Sequence, residues 1–566
     1  MSPHAAFPQA EASGDPPRGD AAGFVRFLVP DATAGFLVFL IALPLCLGIA
    51  IASGFPPVAG VFTALIGAVV TSLISNSELT IKGPAAGLIV IVLAAMHSFG
   101  FTAGGDPVAD QQAYRMTLAV GCVAGLVQLG LGLLRVGGFG DFFPKAVVHG
   151  MLAAIGLTIL LKQLPVVFGN PPGGEPLEVL QHLPAKMREL NPQITLIGLV
   201  SLAILFLFPF VLRRLRPPWL RFVPPQLLVL AVAVPLGGWF ALTQEHTYSF
   251  LGRDYQVGEW YLVPVPRSLA AAITLPDFSV FTSSATAWSA AWWVLLFAVV
   301  GSIESLLSTK AIDSVDPWRR KTDLNRDLLA VGVANVAAAA IGGLPMVSEI
   351  VRSKANIDAG GRTRFADFWH GFFLLAFVAL LPWAIHRIPL SALAAMLVYT
   401  GYRLASPREF INVFRIGSDQ LAIFVITIIA VLATDLLVGV LIGIIANFGF
   451  HTFNGVPLES FFKPFLEVSK IDDQTVQVDA GRSAVFSNWI PFRRRIEQLG
   501  LEQGNDVIVN LAGTHLVDHH VMVQFEKLAR DFEQVGRRLN VIGLEAHRSV
   551  SDHPHATRRR VMTRIR

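Results

Sequence analysis

The sequence has little charge and almost no cysteine. Of its 566 residues, 15% are Asp, Glu, Lys or Arg, and only two are cysteine. These two, Cys46 and Cys122, lie in apolar runs and fit neither a disulfide framework nor a zinc site. Residues 1–25 lack the basic-then-apolar pattern of a signal peptide. We therefore expect neither a disulfide-rich secreted protein nor a Cys/His metal protein.

Apolar residues, by contrast, are abundant. They make up 53% of the chain, and the mean hydropathy is +0.58. Runs of about 20 apolar residues, each long enough to span a membrane, recur along most of the length. The net charge of +4 comes mostly from Arg and Lys between these runs, which indicates membrane topology rather than nucleic-acid binding. The sequence predicts a polytopic α-helical membrane protein embedded in the lipid bilayer.

The apolar runs form two sets of seven segments, separated by a polar loop over residues 244–285. In each set the third segment is short and interrupted. The unbroken segments are predicted at Thr33–Ser53, Val58–Ile74, Met116–Leu134, Val147–Leu164, Ile194–Leu212, Phe222–Leu242, Trp288–Ser308, Leu328–Ile341, Phe368–Ile385, Leu390–Tyr402, Leu421–Thr434 and Leu436–Phe453. This pattern predicts 14 segments in a 7+7 repeat.

The two interrupted segments predict a binding site. In the first, the run KGP at residues 82–84 precedes a short helix at Ala85–Leu93. In the second, GGLP at residues 342–345 precedes a short helix near Met346–Ala355. Broken helices at corresponding positions of two halves indicate a transporter site at an inverted-repeat interface. Because the start of a helix has free N–H groups and a positive end, we expect this site to bind an anion.

After about Gly455 the composition changes to that of a soluble domain, and strand-like and helix-like segments alternate. Strands are predicted at Thr475–Val478, Asp506–Leu511 and Asn540–Leu544, and helices at Ala484–Leu499 and Val521–Val535. We expect a small cytoplasmic βαβ domain. His519 and His520 are expected to be exposed loop residues rather than metal ligands.

Five stretches carry a resemblance to a known family. They are ALPLCLGIAIASGFPP in the first span, KGPAAG, GSIESLLSTKAID, GGLPMVSEIVRSKANI and, near the C-terminus, DVIVNLAGTHLVD. The first four together resemble the SulP family of inorganic anion transporters, which includes solute carrier family 26. The fifth resembles a STAS domain. The resemblance covers about residues 28–550.

The resemblance implies a fold of 7+7 inverted segments divided into core and gate domains, followed by an α/β STAS domain. It also implies a substrate site between the third and tenth segments, elevator-type alternating access and a homodimer. The expected boundaries are a disordered cytoplasmic tail at 1–27, a transmembrane anion-transport domain at 28–455, a STAS domain at 456–550 and a basic disordered tail at 551–566. Basic clusters in alternate loops predict that both termini are cytoplasmic, in a plasma (inner) membrane protein.

The anion is expected at the two helix starts. The residues are Pro84, Ala85, Ala86 and Gly87 in the first half, and Met346, Val347 and Ser348 in the second. Arg352, one turn after Ser348, is expected to add positive potential or to pair with Glu349. Leu45 and Cys46 stand where some family members have a polar pair, which favours a small anion held mainly by backbone amides.

Glu304 is the candidate coupling residue, because a carboxylate deep in the eighth segment is costly to bury. Ser308 follows one turn later on the same helix face. In the sodium-coupled bicarbonate carriers that this chain resembles, a carboxylate and a hydroxyl at these positions form part of a cation site. Here the two residues would bind Na⁺ or carry H⁺, or Glu304 is a structural carboxylate. Glu349 is a second candidate proton carrier, and Lys82 is expected at the edge of the site or at a membrane interface.

The leading interpretation is a secondary active transporter of small inorganic anions, sulfate or bicarbonate, coupled to Na⁺ or H⁺. The alternative is an anion channel or a membrane-embedded sensor that signals through its STAS domain. The sequence contains no catalytic constellation, phosphate-binding loop or metal-ligand spacing. An enzyme, a nucleic-acid partner and a resident cofactor are therefore not expected, and Na⁺ enters only as a candidate coupling ion.

Overall fold

A computed structural model of the chain describes residues 16–171, 176–186, 188–214, 224–264, 270–313, 315–434 and 436–560. The chain divides into two compact units. The first comprises Met1–Gly137 and Thr158–Tyr402, and the second comprises Gly138–Leu157 and Arg403–Arg566.

Helices dominate the first 453 residues. In chain order they are α1 (Ala21–Arg26), α2 (Leu28–Ala52), α3 (Pro57–Ile74), α4 (Ile89–Ser98), α5 (Pro107–Leu133), α6 (Lys145–Val167), α7 (Pro176–Lys186), α8 (Pro192–Arg214), α9 (Pro225–Trp239), α10 (Ala287–Asp313), α11 (Leu324–Ala340), α12 (Ile350–Asp358), α13 (Phe365–Leu380), α14 (Pro382–His386), α15 (Leu390–Leu404), α16 (Pro407–Ile416), α17 (Ser418–Ala433) and α18 (Leu436–Phe453). Among the described residues, five of these helices are long and apolar enough to cross a membrane, namely α2, α3, α5, α6 and α10.

Several helix starts follow from local sequence. The Asp106 side chain accepts hydrogen bonds from the N–H groups of Val108 and Ala109, and it thereby caps α5. Asp323 caps α11 in the same way, and Pro57 occupies the first turn of α3, where its missing N–H costs nothing. The acidic and proline residues at the ends of the loops therefore define where these apolar helices begin.

Each of the twelve unbroken predicted segments overlaps a helix. Three local features differ from the sequence prediction. The loop at 244–285 contains an antiparallel hairpin of β2 (His246–Phe250) and β3 (Arg253–Val257). Amphipathic α16 was not predicted, because its polar face resembles a loop in a hydropathy profile. The expected N-terminal tail contains helix α1, whereas residues 1–15 of that tail lie outside the described residues.

The two interrupted segments contain strands. β1 (Ile81–Pro84) pairs antiparallel with β4 (Met346–Glu349) in a two-stranded ribbon. The predicted helix near Met346–Ala355 is therefore wrong at its start, since α12 begins only at Ile350. The physical reason is that the two segments satisfy each other's backbone groups, which a helix would have had to satisfy within one segment.

The C-terminal part is an α/β domain with a seven-stranded sheet. Its elements are β5 (Phe465–Lys470), β6 (Thr475–Ala484), α19 (Trp489–Glu497), β7 (Asp506–Asn510), β8 (Thr514–Val517), α20 (His519–Gln534), β9 (Leu539–Ile542), β10 (His547–Ser549) and β11 (Arg558–Arg560). The strand order is β10-β11-β8-β6-β7-β9, with β5 also paired to β6. The parallel β6–β7–β9 arrangement confirms the three predicted strands and the βαβ pattern.

Two predictions about the end of the chain are wrong. Arg558–Arg560, expected in a disordered tail, forms strand β11, which pairs with β10 on one side and β8 on the other, and residues 561–566 lie outside the described residues. His519 and His520 are buried at the start of α20 rather than exposed in a loop. Both errors have the same cause. A polar sequence indicates exposure, whereas these polar residues become buried or paired only when distant segments of the domain pack together.

Candidate functional site

The site is built on the β1–β4 ribbon. The strands pair Ile81 with Glu349, Lys82 with Ser348 and Gly83 with Val347. A 3₁₀ turn at Ala86–Leu88 leads from β1 into α4, and α12 begins directly after β4. The ribbon therefore brings together two strand-to-helix junctions that are far apart in the sequence.

Lys82 is buried inside the protein, opposite the predicted site residue Ser348 in the ribbon. Its side chain and that of Asp327 are each 1% exposed, and Lys82 Nζ lies 2.7 Å from Asp327 Oδ1. Lys82 Nζ also donates to Ser348 Oγ at 2.5 Å. Because Lys82 and Ser348 are cross-strand partners, their side chains lie on the same face of the ribbon. No sequence pattern predicts that Lys82 pairs with an acid on α11.

Four hydroxyl groups, including that of Ser348, lie around this ion pair. Ser75 Oγ donates to Asp327 Oδ1 at 2.6 Å. Thr309 Oγ1 lies 2.9 Å from both Asp327 Oδ2 and Ser348 Oγ, and Ser305 Oγ lies 3.0 Å from Ser348 Oγ. We call Lys82, Asp327, Ser75, Ser305, Thr309 and Ser348 the Lys82 cluster.

Arg352 is the second buried cation at the ribbon. It is 1% exposed and lies in the first turn of α12. Its Nη2 donates to Pro84 O at 3.4 Å, whereas Nε and Nη1 have no hydrogen-bond partner among the residues that the structure describes. A Cβ on Gly83 would come within 2.2 Å of Nη1, so the guanidinium occupies space that only glycine leaves. Arg352 thus presents unpaired charged donors at the junction after β1.

Two further groups lie beside the Arg352 guanidinium. The Glu349 carboxylate interacts with Arg352 and is within hydrogen-bonding reach of the Ala86 N–H, and its Oε1 has no partner. The Cys46 thiol of α2 contacts the guanidinium from another side. Glu349 and Arg352 therefore do come together, as the spacing of three residues predicts, but this contact leaves part of both groups unpaired.

Glu304 of α10 completes the arrangement. Its Oε1 and Oε2 lie 2.5 Å and 2.6 Å from the position of a Cβ on Gly87, so glycine is required for this close approach. Glu304 Oε2 has no hydrogen-bond partner, and the carboxylate interacts with that of Glu349. One guanidinium and two carboxylates, all with unpaired atoms, thus surround the start of the 3₁₀ turn.

Other predicted site residues lie at the ribbon, but the amides of two of them hydrogen-bond to protein groups and are not free to bind an anion. Met346 N–H donates to Asn335 Oδ1 at 2.7 Å, and Ser348 N–H donates to Ser305 Oγ at 3.2 Å, so two of the three amides expected to hold an anion already have partners. Ser308 is buried, but the hydroxyls that contact Ser348 come from Ser305 and Thr309.

Polar residues that sequence reasoning missed lie behind the ribbon. Asp367 Oδ2 accepts from the Lys82 N–H at 3.2 Å, and Asp367 Oδ1 lies 3.2 Å from Nδ1 of fully buried His370. Asn335, which binds the Met346 amide, also donates to Gln128 Oε1 at 2.7 Å. A polar residue inside an apolar segment was the available signal for Asn335 and for the Asp367–His370 pair.

A separate pair of titratable residues begins α20 in the C-terminal domain. Asp518 accepts from the N–H groups of Phe486 at 2.6 Å and Val521 at 2.7 Å. Burial disfavours the charged carboxylate and raises the pKa of Asp518 to about 7 despite these donors. Burial also lowers the pKa of His519 to about 4, while its Nδ1 lies 2.8 Å from His555 O. Near neutral pH the domain therefore buries a neutral histidine beside a carboxyl group that is close to its titration midpoint.

Comparison with known proteins identifies the family of the membrane part. The model of the sulfate permease family matches residues 28–427. The bicarbonate transporter BicA of Picosynechococcus sp. is 25% identical over 419 residues, which cover 74% of this chain and 69% of that protein. Residues 28–427, which the family model matches, include both strands of the ribbon, Glu304 and Arg352.

Solved structures show the same fold. The transmembrane domain of a cyanobacterial bicarbonate transporter BicA aligns with a TM-score of 0.60 at 24% identity, covering 74% of this chain and 98% of that chain. The structure of SLC26A9 aligns with a TM-score of 0.64 at 16% identity and covers 92% of this chain and 85% of that chain. The fold is thus that of a multi-pass helical membrane transporter with a C-terminal mixed α/β domain, which is consistent with STAS.

Proposed function

This chain belongs to the sulfate permease family of membrane anion transporters, and we propose that it is a secondary active transporter of a small monovalent anion, namely bicarbonate. The family consists of transporters rather than enzymes. Its members and relatives include proteins named for sulfate and for bicarbonate, so the choice of anion must come from the site itself.

The observation that carries this proposal is the state of Arg352. A guanidinium that is 1% exposed has two nitrogens, Nε and Nη1, without a hydrogen-bond partner. A buried charge without partners is costly, so a bound anion that accepts these N–H groups stabilises the site. Arg352 also offers its donors in a planar fork, which matches the two oxygens of a carbonate-like group.

The charge around Arg352 favours a monovalent anion over a divalent one. Glu304 and Glu349 place two carboxylates near a single guanidinium. A divalent sulfate would add a larger repulsion to these carboxylates than a monovalent anion would. The thiol of Cys46 at this point, in place of a hydroxyl, gives sulfate no additional strong donor.

We propose that the anion binds between Arg352 and the start of the 3₁₀ turn, at Pro84, Ala85, Ala86 and Gly87, with Val347 and Ser348 behind it. Ala86 and Gly87 allow close approach to the backbone, and the helix start adds positive potential. In this arrangement the Glu349 carboxylate competes with the substrate for Arg352 and for the Ala86 N–H. Protonation of Glu349 would remove that competition, and protonation of Glu304 would remove the repulsion between the two carboxylates, so these two residues are the proposed coupling groups.

The proposal extends to the assembly. We propose an elevator-type movement of a core domain that carries both strands of the ribbon, within a homodimer in the plasma (inner) membrane and with both termini in the cytoplasm. The antiparallel pairing of β1 with β4 supports a core that moves as one piece, because both strand-to-helix junctions are hydrogen-bonded to each other. The proposed boundaries are residues 28–455 for the transport domain and a STAS domain that begins at residue 456 and extends beyond residue 550 to include β11.

Uptake into proteoliposomes tests this function. We expect saturable uptake of labelled bicarbonate, inhibition by excess unlabelled bicarbonate and weaker inhibition by sulfate. Saturable sulfate uptake that bicarbonate does not inhibit would show that the proposed substrate is wrong. A conductance that rises linearly with anion concentration would instead indicate a channel.

The Glu304→Gln variant tests the coupling role. We expect a protein that folds normally but no longer accumulates anion when an ion gradient is imposed, because a neutral amide cannot take up or release a proton. The control is Glu259→Gln, which changes an exposed acid in the 3₁₀ turn after β3. Unchanged gradient-driven accumulation by Glu304→Gln would rule out the coupling role.

A further inference from the structure

The Lys82 cluster has the composition of a cation site. Two carboxylate oxygens of Asp327 and the hydroxyl oxygens of Ser75, Thr309 and Ser348 meet within hydrogen-bonding distances of one another. All four residues are at least 97% buried. Carboxylate and hydroxyl oxygens are the ligands that hard cations prefer, so this set of groups would suit an alkali-metal ion if no other cation were present.

The protein supplies that other cation itself. The Lys82 ammonium lies 2.7 Å from Asp327 Oδ1 and 2.5 Å from Ser348 Oγ. The position follows from the strand register, since Lys82 and Ser348 are directly opposed in the ribbon. A lysine ammonium has three donors and one compact positive charge, so it can satisfy several oxygens at once, as a bound ion would.

We propose that Lys82 is the resident cation of this transporter: its ammonium permanently occupies an oxygen-lined site that would otherwise take Na⁺, so the protein transports its anion without Na⁺. The inference rests on the proposed transport function and restricts its coupling ion to one of the two candidates. It assigns Lys82 a role as a positioning residue and leaves H⁺, through Glu304 and Glu349, as the coupling ion.

The cluster is connected to the anion site by adjacent residues. Ser348 precedes Glu349 in β4, and Ser305 follows Glu304 in α10. Ser348 N–H and Ser305 Oγ are themselves hydrogen-bonded at 3.2 Å. A cation in the cluster therefore fixes the strand and the helix that carry both proposed coupling carboxylates. Because the Lys82 ammonium is covalently attached, it holds them in place at any Na⁺ concentration.

A structural ion pair between Lys82 and Asp327 is the simpler alternative, and a change in Na⁺ response separates the two. Lys82→Ala would remove the ammonium and open space for an ion, whereas Lys82→Met would remove the charge but keep the space filled. Lys82→Arg would keep a cation in place. A purely structural pair predicts that Lys82→Ala and Lys82→Met lose stability alike and that neither responds to Na⁺.

The experiment compares thermal unfolding of the full-length detergent-solubilised protein in NaCl and in choline chloride at equal ionic strength. We expect no Na⁺ effect for the wild type, Lys82→Met or Lys82→Arg. For Lys82→Ala we expect Na⁺ to raise the unfolding temperature by several degrees in a saturable manner, because an ion that binds only the folded state stabilises it. Lys82→Ala/Asp327→Asn, which lacks the carboxylate, should lose this response.

The outcomes are distinct. Na⁺ stabilisation of the wild-type protein, or a Lys82→Ala protein that folds and ignores Na⁺, would overturn the proposal. If Lys82→Ala cannot be purified, anion uptake by wild-type proteoliposomes decides: equal rates in Na⁺ and choline support the proposal, and a requirement for Na⁺ refutes it. Absence of any anion uptake would refute the transport function, while the unfolding measurements would still test the resident cation.

Discussion

Lys82 and Arg352 are two buried cations at the same ribbon, and they differ in how well they are paired. Both are 1% exposed. The Lys82 ammonium has a carboxylate and a hydroxyl within 2.7 Å, whereas two nitrogens of Arg352 have no partner. A paired buried charge holds structure together, and an unpaired one indicates a place for a ligand. From this contrast we infer that Lys82 stabilises the structure and that Arg352 binds the anion.

The largest expected effect is on stability and comes from breaking the paired cation. Lys82→Met leaves the Asp327 carboxylate buried without its partner, so we expect a loss of about 3–5 kcal/mol in the free energy of unfolding. Chemical unfolding in detergent measures it. Lys354→Met is the matched control, because Lys354 is exposed and pairs with Asp358 at the surface. A loss for Lys82→Met no larger than that of the control would remove the distinction between the two cations.

The next effect is on transport and comes from the unpaired cation. Arg352→Gln removes charge-assisted hydrogen bonds to the anion, and we expect uptake at low substrate concentration to fall about 100-fold or more. We expect a smaller loss of stability than in Lys82→Met, because two guanidinium nitrogens of Arg352 have no hydrogen-bond partner among the described residues, although the buried Glu349 carboxylate loses its neighbouring cation. Lys354→Gln should transport at the wild-type rate. Uptake by Arg352→Gln within a factor of two of the wild type would contradict the anion role.

A smaller effect is expected where the backbone approaches Glu304. In Gly87→Ala the new Cβ would lie 2.5 Å from Glu304 Oε1, so the carboxylate must move. We expect uptake to fall about tenfold through overpacking at the site. Gly130→Ala on α5, whose Cβ would meet open space, is the control and should transport normally. Equal activity of the two variants would show that Glu304 is not confined by Gly87.

In the wild-type protein, the smallest effect is expected from two titratable groups far from the ribbon in sequence, Asp518 and His519. The raised pKa of Asp518 makes the domain bind a proton that the unfolded chain has lost, so this group alone lowers stability as pH rises from 4 to 7. The lowered pKa of His519 does the opposite, because the unfolded histidine binds a proton between pH 4 and 6.5 that the folded one does not. The two slopes oppose each other, and we expect the stability of this domain to vary less over that range than either group alone would cause.

His519→Gln should expose the Asp518 slope. We expect the variant to lose about 1.4 kcal/mol of stability per pH unit between pH 4 and 6.5, as one unbalanced proton predicts. Hydrogen exchange of the β7 amides in the full-length protein, corrected for intrinsic exchange, measures this change. His515→Gln, on strand β8, is the control. A variant whose stability does not depend on pH would show that Asp518 is ionised throughout this range.

The architecture of the membrane part was largely predictable, because it depends on local properties of the chain. An apolar run long enough to cross a bilayer identifies itself by composition, and α18 was predicted with the bounds that the structure shows. Gly-Pro and Gly-Gly breaks identified the two interrupted segments. The pairing of strands at those breaks was not predictable, because β1 (residues 81–84) and β4 (residues 346–349) are far apart in the sequence.

The helix face of α10 illustrates the same limit. Glu304 and Ser308 are one turn apart, and so are Ser305 and Thr309. The spacing alone cannot tell which of these two neighbouring pairs faces the ribbon hydroxyl at Ser348. In the structure Ser305 and Thr309 contact Ser348, whereas Glu304 approaches Gly87 on the adjacent face. Only the packing of α10 against β4 and the 3₁₀ turn at Ala86–Leu88 determines its rotation.

By itself, then, the sequence determined that this is a polytopic membrane protein with two broken segments, a buried acid at Glu304 and a C-terminal α/β domain. The tertiary structure alone decided how the charges pair. Lys82 meets Asp327 at a separation of 245 positions and Ser348 at 266, while Arg352 keeps donors unpaired. Hydropathy and breaker residues act within one segment, whereas the partner of a buried charge depends on which distant segments pack beside it.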